Sequence, residues 1–266
     1  MSELIIIIYG LIQGLAEFLP VSSSGHLAIL PSIINFEDPG VIFDLLMHLG
    51  TAIAIVVYFH KEIKTIIVQF FLIIKNKSFK DSWFFINFSF ATAFSVIFIL
   101  ALKGISEKIG RTTDLIAINL IVFGVIMWIS DLRRVDKSIK MDESHGFKRA
   151  ILIGIAQAFA IFPGVSRSGI TLTTARFLKI SREEASRFSF LMSLPIIFAS
   201  IVYKSPEIIR GEATYVSLTD TLLGVSISFV VGLLTIHFFL KFIKRIGLFP
   251  FAVYRVLLGI VLLLLY

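Results

Sequence analysis

Twice in this chain an apolar run ends at a proline and passes into a short serine- and glycine-rich stretch, Val21-Ser22-Ser23-Ser24-Gly25-His26 and then Val165-Ser166-Arg167-Ser168-Gly169-Ile170. Laid over one another, the copies match at Gly10 and Gly154, Gln13 and Gln157, Val21 and Val165, Ser22 and Ser166, Ser24 and Ser168, and Gly25 and Gly169. With one residue inserted the match resumes, Leu46-Met47-His48-Leu49 facing Leu191-Met192-Ser193-Leu194 and Val57-Tyr58 facing Val202-Tyr203. The chain is an internal duplication, and any fold must accommodate two related polar interruptions in apolar surroundings.

Those surroundings set the class. Hydrophobic residues make up 57% of the chain and charged residues 16%, with a mean hydropathy of +0.93, more apolar surface than one soluble core can hide. The expectation is an all-α integral membrane protein. Glu3 stands where a secretory leader would be basic, and no small-residue cleavage site follows, so the first twenty residues read as mature structure. A net charge of +7 suggests no nucleic-acid partner here, because the basic residues lie between apolar runs, where they orient a membrane chain. With no cysteine, disulfide and thiol chemistry are excluded.

Leu4 to Leu19, as a helix, rises about 24 Å, short of the roughly 30 Å hydrocarbon core, and stops at Pro20. A second short arm runs from His26 to about Ile34, with the Ser-Ser-Ser-Gly stretch as the bend between. Two short arms about a polar bend predict a re-entrant hairpin, since irregular backbone at membrane depth survives only against protein or a wet cavity. Val41 to His60, Phe84 to Leu102, Thr113 to Ser130, Glu184 to Tyr203, Thr221 to Leu240 and Gly247 to Tyr266 are long enough to span. Thr65 to Ile74 is too short to cross and is flanked by lysines, which places it at the interface. In the second copy Ala150 to Phe162 is the short arm, Pro163-Gly164 breaks it and Ser166-Arg167-Ser168-Gly169 forms the bend.

Each half then carries one re-entrant helix hairpin plus three transmembrane helices. Three is odd, so the second half enters from the opposite side and the repeat has inverted topology, with both bends meeting near the midplane. A single membrane domain covers 1–266, repeat 1 about 1–131 and repeat 2 about 147–266, joined by a basic cytoplasmic linker, 132–146. Lysines and arginines gather in the stretches Lys61 to Lys80, Arg133 to Arg149, Lys179 to Arg182 and Lys241 to Arg245; the opposite side holds Lys103, Lys108, Arg111, Lys204 and Arg210. The excess of positive charge puts the first group in the cytoplasm and both termini outside.

Gln13 and Glu17 are four apart and share one helix face just before the first bend. A carboxylate in an apolar zone costs roughly 3 kcal/mol and marks a functional site or an ion path more often than a structural charge partner. Arg167 stands in the second copy where Ser23 stands in the first, and its rigid fork of donors suits phosphate oxygens. Ser166, Ser168 and Thr171 add hydroxyls beside it, and Gly164 and Gly169 let backbone N–H groups approach an anion. Ser22, Ser23, Ser24 and His26 offer a nucleophile and base set: Ser23 attacks with Glu17 or His26 assisting, or His26 attacks directly, whereas serines that only cap and turn would be inert. Asp44 and His48, also four apart, head the first full span and stand behind these groups, as do Gln13, Ser22 and Ser24. No glycine-rich nucleotide loop and no His-Glu-x-x-His helix is present, and the partners that phosphatidic-acid-type phosphatases need after Ser-Arg are missing.

Gln13 to Leu27, Gln-Gly-Leu-Ala-Glu-Phe-Leu-Pro-Val-Ser-Ser-Ser-Gly-His-Leu, and Pro163 to Thr171, Pro-Gly-Val-Ser-Arg-Ser-Gly-Ile-Thr, resemble the two signatures of the undecaprenyl-diphosphate phosphatase, or bacitracin-resistance protein, family. Length, repeat and motif order agree, so the resemblance covers the whole chain. It implies hydrolysis of the lipid diphosphate left by cell-wall polymerisation, recycling of the monophosphate carrier, and a divalent cation, Mg or Ca, with Glu17 as its ligand. It also implies that Glu17, Ser23 and His26 are catalytic and that Ser166, Arg167 and Thr171 bind the diphosphate. Some members carry glutamate where this chain has Gln13. The expected partner is a polyprenyl diphosphate lipid in the bacterial plasma (inner) membrane, cleaved at an outward-facing site; a homodimer stays open. The competing class is an inverted-repeat transporter or flippase for a lipid phosphate or an ion.

Overall fold

A computed structural model describes residues 3–76, 79, 81–132, 135, 140–209 and 217–265. Among the expected topology markers, Lys77, Lys80, Arg133, Arg134, Lys137 and Arg210 and most of the first part of the 132–146 linker lie outside the described residues. Eleven α-helices follow in order among those described: α1 (Glu3–Ala16), α2 (Ser23–Ile34), α3 (Gly40–Tyr58), α4 (His60–Asn76), α5 (Trp83–Ile109), α6 (Thr113–Asp131), α7 (Phe147–Ala158), α8 (Arg167–Phe177), α9 (Arg182–Ile209), α10 (Leu218–Ile246) and α11 (Phe249–Leu265). Single 3-10 turns, Ser144–Gly146 and Phe159–Ile161, flank α7.

Five of these helices, α3, α5, α6, α9 and α10, are long and apolar enough to cross a bilayer, which makes the chain a multi-pass membrane protein. The sixth expected span, Gly247 to Tyr266, yields the shorter α11, because Gly247 ends α10 at a φ of 72° and the new helix starts only at Phe249. Its 17 residues rise about 25 Å. The lysine-flanked run Thr65 to Ile74 lies within α4, where no described residue is buried. Residues 140–146 fold back on the helices: Met141 is fully buried, Asn87 donates to its carbonyl oxygen at 2.8 Å, and its N–H donates to Glu184 at 3.0 Å.

Both polar bends are shorter than their composition predicts. Ser22 sits at a φ of 77° and Ser166 at 72°, and each hydroxyl accepts the N–H three residues on, from Gly25 at 3.3 Å and from Gly169 at 3.1 Å. These side-chain caps satisfy donors that the first helical turn leaves orphaned, so helix begins at the next residue. Ser23, Ser24 and Gly25 therefore open α2, and Arg167, Ser168 and Gly169 open α8, where a bend was expected. The irregular backbone is confined to the segments before them, Glu17 to Ser22 and Phe162 to Ser166.

Packing brings these segments together. α1 lies along α10 and α7 along α5, while α6 and α11 pair and α3 meets both α10 and α9. The close approach is possible because the matched Gly10 and Gly154 carry no side chain: a methyl at Gly154 would fall 2.2 Å from the Ala91 carbonyl oxygen, and one at Gly10 would fall 2.8 Å from that of Gly224. Phe18, Phe59, Phe188, Phe190 and Phe239 fill the core beside the first bend.

Candidate active site

Glu17 leaves the end of α1 and is 7% exposed. The Ser23 hydroxyl, in the first turn of α2, donates to Glu17 Oε2 at 2.7 Å, and Gln13 Nε2 donates to the same oxygen at 3.1 Å. His48 Nε2, from α3, lies 3.3 Å from that oxygen as well. On the other side Arg167 Nη1, at the start of α8, stands 3.7 Å from Glu17 Oε1 and 3.4 Å from the Ser193 carbonyl oxygen. A carboxylate short-bonded to a hydroxyl, with a guanidinium across from it, is the geometry of a base beside a nucleophile facing an anion-binding group. A cleft lined by Glu17, Phe18, Arg167, Ser168, Ser189, Phe190 and Ser193 opens between them.

The expected residues divide into those brought into this cluster and those held beside it. Gln13, Glu17, Ser23 and Arg167 converge in the fold, Gln13, expected behind the reacting groups, touching Glu17 directly. Ser168 lines the cleft, and its hydroxyl donates to the Leu19 carbonyl at 3.2 Å, tying the second bend to the first. Ser22 and Ser166 are caps, each with its hydroxyl near that of the serine two residues on, Ser24 at 3.5 Å and Ser168 at 3.4 Å. The Thr171 hydroxyl pairs with that of Ser189 at 2.5 Å and donates to the Arg167 carbonyl at 2.8 Å, so it shapes the first turn of α8.

His26 is engaged elsewhere. Nε2 meets the Tyr254 hydroxyl at 2.6 Å, Nδ1 meets the Ser22 carbonyl oxygen at 2.7 Å, and the two rings stack with centroids 5.6 Å apart. Neither ring nitrogen is turned to Glu17. Conversely His48, expected behind the reacting groups, touches Glu17 directly, its ring held by Nδ1 against the Asp44 carbonyl oxygen at 2.7 Å. Asp44 itself faces Arg111 at 3.2 Å.

Sequence reasoning missed Ser189 and Ser193 on α9. They occupy in the second copy the places of Asp44 and His48 in the first, so the duplication carried the signal. It also missed Arg255, wholly buried on α11, whose charge in an apolar span marked it for attention.

Two irregular bends inside a helical membrane protein, one presenting a carboxylate and hydroxyl and the other a guanidinium, define a membrane protein with a buried site for an anionic group. The chain belongs to the bacitracin resistance protein BacA family, whose model matches residues 6–261. It is similar to the undecaprenyl-diphosphatase of Teredinibacter turnerae, 40% identical over 261 residues and 97% of each chain. It is equally similar to undecaprenyl-diphosphatase 1 of Pseudoalteromonas translucida, 40% identical over 264 residues, 98% of this chain and 97% of that one. The undecaprenyl-diphosphatase of Campylobacter curvus is 40% identical over 262 residues and 98% of each chain.

Proposed function

We propose that the chain hydrolyses undecaprenyl diphosphate to undecaprenyl phosphate and inorganic phosphate, recycling the lipid carrier for peptidoglycan synthesis and conferring bacitracin resistance. The observation that carries it is the 2.7 Å bond from the Ser23 hydroxyl to Glu17, set opposite Arg167 in a member of this family. A diphosphate on a long isoprenoid needs a cationic group for its head and an apolar surround for its tail; Arg167 at the cleft supplies the first and the apolar helices around it the second. Release of inorganic phosphate by the purified protein in detergent, with no second compartment, tests hydrolysis against transport.

In this mechanism Glu17 takes the Ser23 proton as Oγ attacks the terminal phosphorus. The bridging P–O bond breaks and undecaprenyl phosphate leaves with the proton returned from Glu17; water, deprotonated by Glu17, then attacks the phosphoserine, the P–Oγ bond breaks, and Glu17 returns that proton to Oγ, leaving phosphate and free serine. Arg167, with Ser168 beside it, neutralises the phosphoryl oxygens as charge builds on them. Serine is preferred to His26 as nucleophile because both imidazole nitrogens are turned to Tyr254 and Ser22.

A divalent cation, Mg or Ca, belongs to the same proposal. Glu17 is the one carboxylate among the described residues lining the cleft, so it would hold the ion on the protein's side. The rest of the shell would come from diphosphate oxygens and water, which is how magnesium is commonly held at phosphate sites. When bound, the ion adds neutralisation of phosphate charge. Chelation by EDTA should lower phosphate release, and added magnesium or calcium should restore it.

Arg167→Lys keeps the charge and loses the planar fork, so turnover should fall about a hundredfold, as when other oriented donors to a developing oxyanion are removed. A steady-state phosphate assay reads this directly; normal turnover in the lysine variant would show that net charge alone matters.

The orientation follows from the charge distribution. In the inner membrane an inverted repeat of two hairpins and six crossings, the five long helices and the shorter α11, would put the Glu17 hairpin at the outer face and the Arg167 hairpin at the cytoplasmic one. Cleavage would then occur at the outer leaflet. The chain has no cysteine, so Ser32→Cys, at an exposed position of α2, should react with an impermeant thiol reagent outside intact cells. Ser138→Cys, outside the described residues, should not, and the opposite pattern would reverse the topology.

A further inference from the structure

Among the described residues Arg255 has one of the largest fully buried side chains, 0% exposed, and the reaction described above does not use it. A guanidinium cannot shed its proton and carries five N–H donors, so burial in apolar surroundings requires that nearly all of them be met. Here five backbone carbonyl oxygens lie within hydrogen-bond distance of its three nitrogens, the two Nη2 hydrogens being shared among three of them. Nη2 donates to Gly164 at 2.8 Å, to Val165 at 2.9 Å and to Asn119 at 3.3 Å. Nη1 donates to Pro20 at 3.3 Å and Nε to Leu120 at 3.4 Å. Pro20 belongs to the first bend, Gly164 and Val165 to the second, and Asn119 and Leu120 to α6.

We infer that Arg255 is a positioning residue for the reaction: one guanidinium clamps the two bends together and so sets the spacing between the Glu17–Ser23 pair and Arg167. The inference rests on the hydrolytic function proposed above. Pro20 lies three residues after Glu17 and three before Ser23, and Gly164 and Val165 lie just ahead of Arg167, so the clamp grips each bend next to its reacting group. Carbonyls in irregular backbone have no helical donor, and at membrane depth they must be satisfied from elsewhere. A side chain that satisfies both bends at once couples their positions. The fit is tight, since a methyl on Gly169, in the first turn of α8, would fall 2.7 Å from Arg255 Nη1.

The alignment matters most in the transition state. A bound diphosphate can be held by the Arg167 bend alone, whereas the attacked phosphoryl group must meet Ser23 and Arg167 together, so misalignment lowers kcat more than it raises KM. Arg255→Lys keeps the charge, but a single ammonium cannot reach carbonyls on both bends and α6.

The test uses the full-length protein in detergent with undecaprenyl diphosphate, comparing wild type, Arg255→Lys, Arg167→Lys and the double variant, with thermal unfolding recorded for each. Gly169→Ala, which leaves the arginine present and presses on Nη1, and also on the Ser166 cap at 3.0 Å, is measured in the same cycle alone and with Arg167→Lys, beside Ser166→Ala as the control for the cap, so that one perturbation of the clamp survives if the other does not fold. Phosphate release by the wild-type protein establishes the reaction independently of the clamp. In folded variants we expect kcat to fall at least about tenfold with KM changed less than about threefold, by analogy with small misplacements elsewhere. We further expect the same substitution to cost less than about threefold once Arg167 is lysine, because both changes remove one shared alignment. An equal kcat penalty in both backgrounds, or a loss of thermal stability with kcat intact, would overturn the assignment.

Discussion

Glu17→Gln should abolish turnover and leave the protein folded. The amide keeps the size of the side chain and can still accept from Ser23, so the bend should survive. It cannot take the hydroxyl proton, and it removes the negative charge that faces Arg167 at 3.7 Å. Losing a general base alone costs about a hundredfold to ten-thousandfold. Losing the carboxylate offered to a cation as well should bring phosphate release to background. Gel filtration and thermal unfolding of the purified variant separate this from collapse of the fold, and activity within about tenfold of wild type would remove Glu17 from the base role.

Ser23→Ala should be nearly as severe, and far more so than Ser22→Ala or Ser24→Ala. The three hydroxyls are adjacent in sequence, yet they stand in different environments. Ser23 Oγ is bonded to Glu17 at 2.7 Å, whereas Ser22 Oγ caps α2 and Ser24 Oγ approaches Ser22 at 3.5 Å. Removing a nucleophile takes away the covalent route, while removing a cap costs about 1 kcal/mol of stability. Phosphate release from the three variants, with mass spectrometry of acid-quenched wild-type protein for phosphoserine, checks the contrast. Equal losses in all three would reduce the serines to shaping the bend, and a trapped phosphohistidine would move attack to His26.

The spans and the two motifs were legible because both are local signals. Hydropathy located α3, α5, α6, α9 and α10 to within several residues, and the repeated Val-Ser-x-Ser-Gly stretch marked the two segments that the fold brings together as a candidate site. Helix boundaries at the bends were not legible from composition: serine and glycine are turn formers and helix caps alike, and whether a hydroxyl folds back on an N–H depends on backbone angles. Tertiary partners were least legible. His26 and Tyr254 are separated by most of the chain, and nothing near either residue announces their 2.6 Å contact. Ser189 and Ser193 resemble the small packing residues of any long apolar helix until they are set against Asp44 and His48. Arg255 was visible as a charge in an apolar run, but its role depends on carbonyls of three separate segments.

The two halves have become unlike at the matched positions that matter. Glu17 answers to Ile161, Ser23 to Arg167, Asp44 to Ser189 and His48 to Ser193. Two copies of the first half would assemble two bases and two hydroxyls with no guanidinium between them; two copies of the second would assemble two guanidinium groups with neither base nor attacking hydroxyl. Joining both in one polypeptide fixes their stoichiometry at one acid-bearing bend to one cationic bend, so every folded molecule contains a complete pair and none can assemble from like halves.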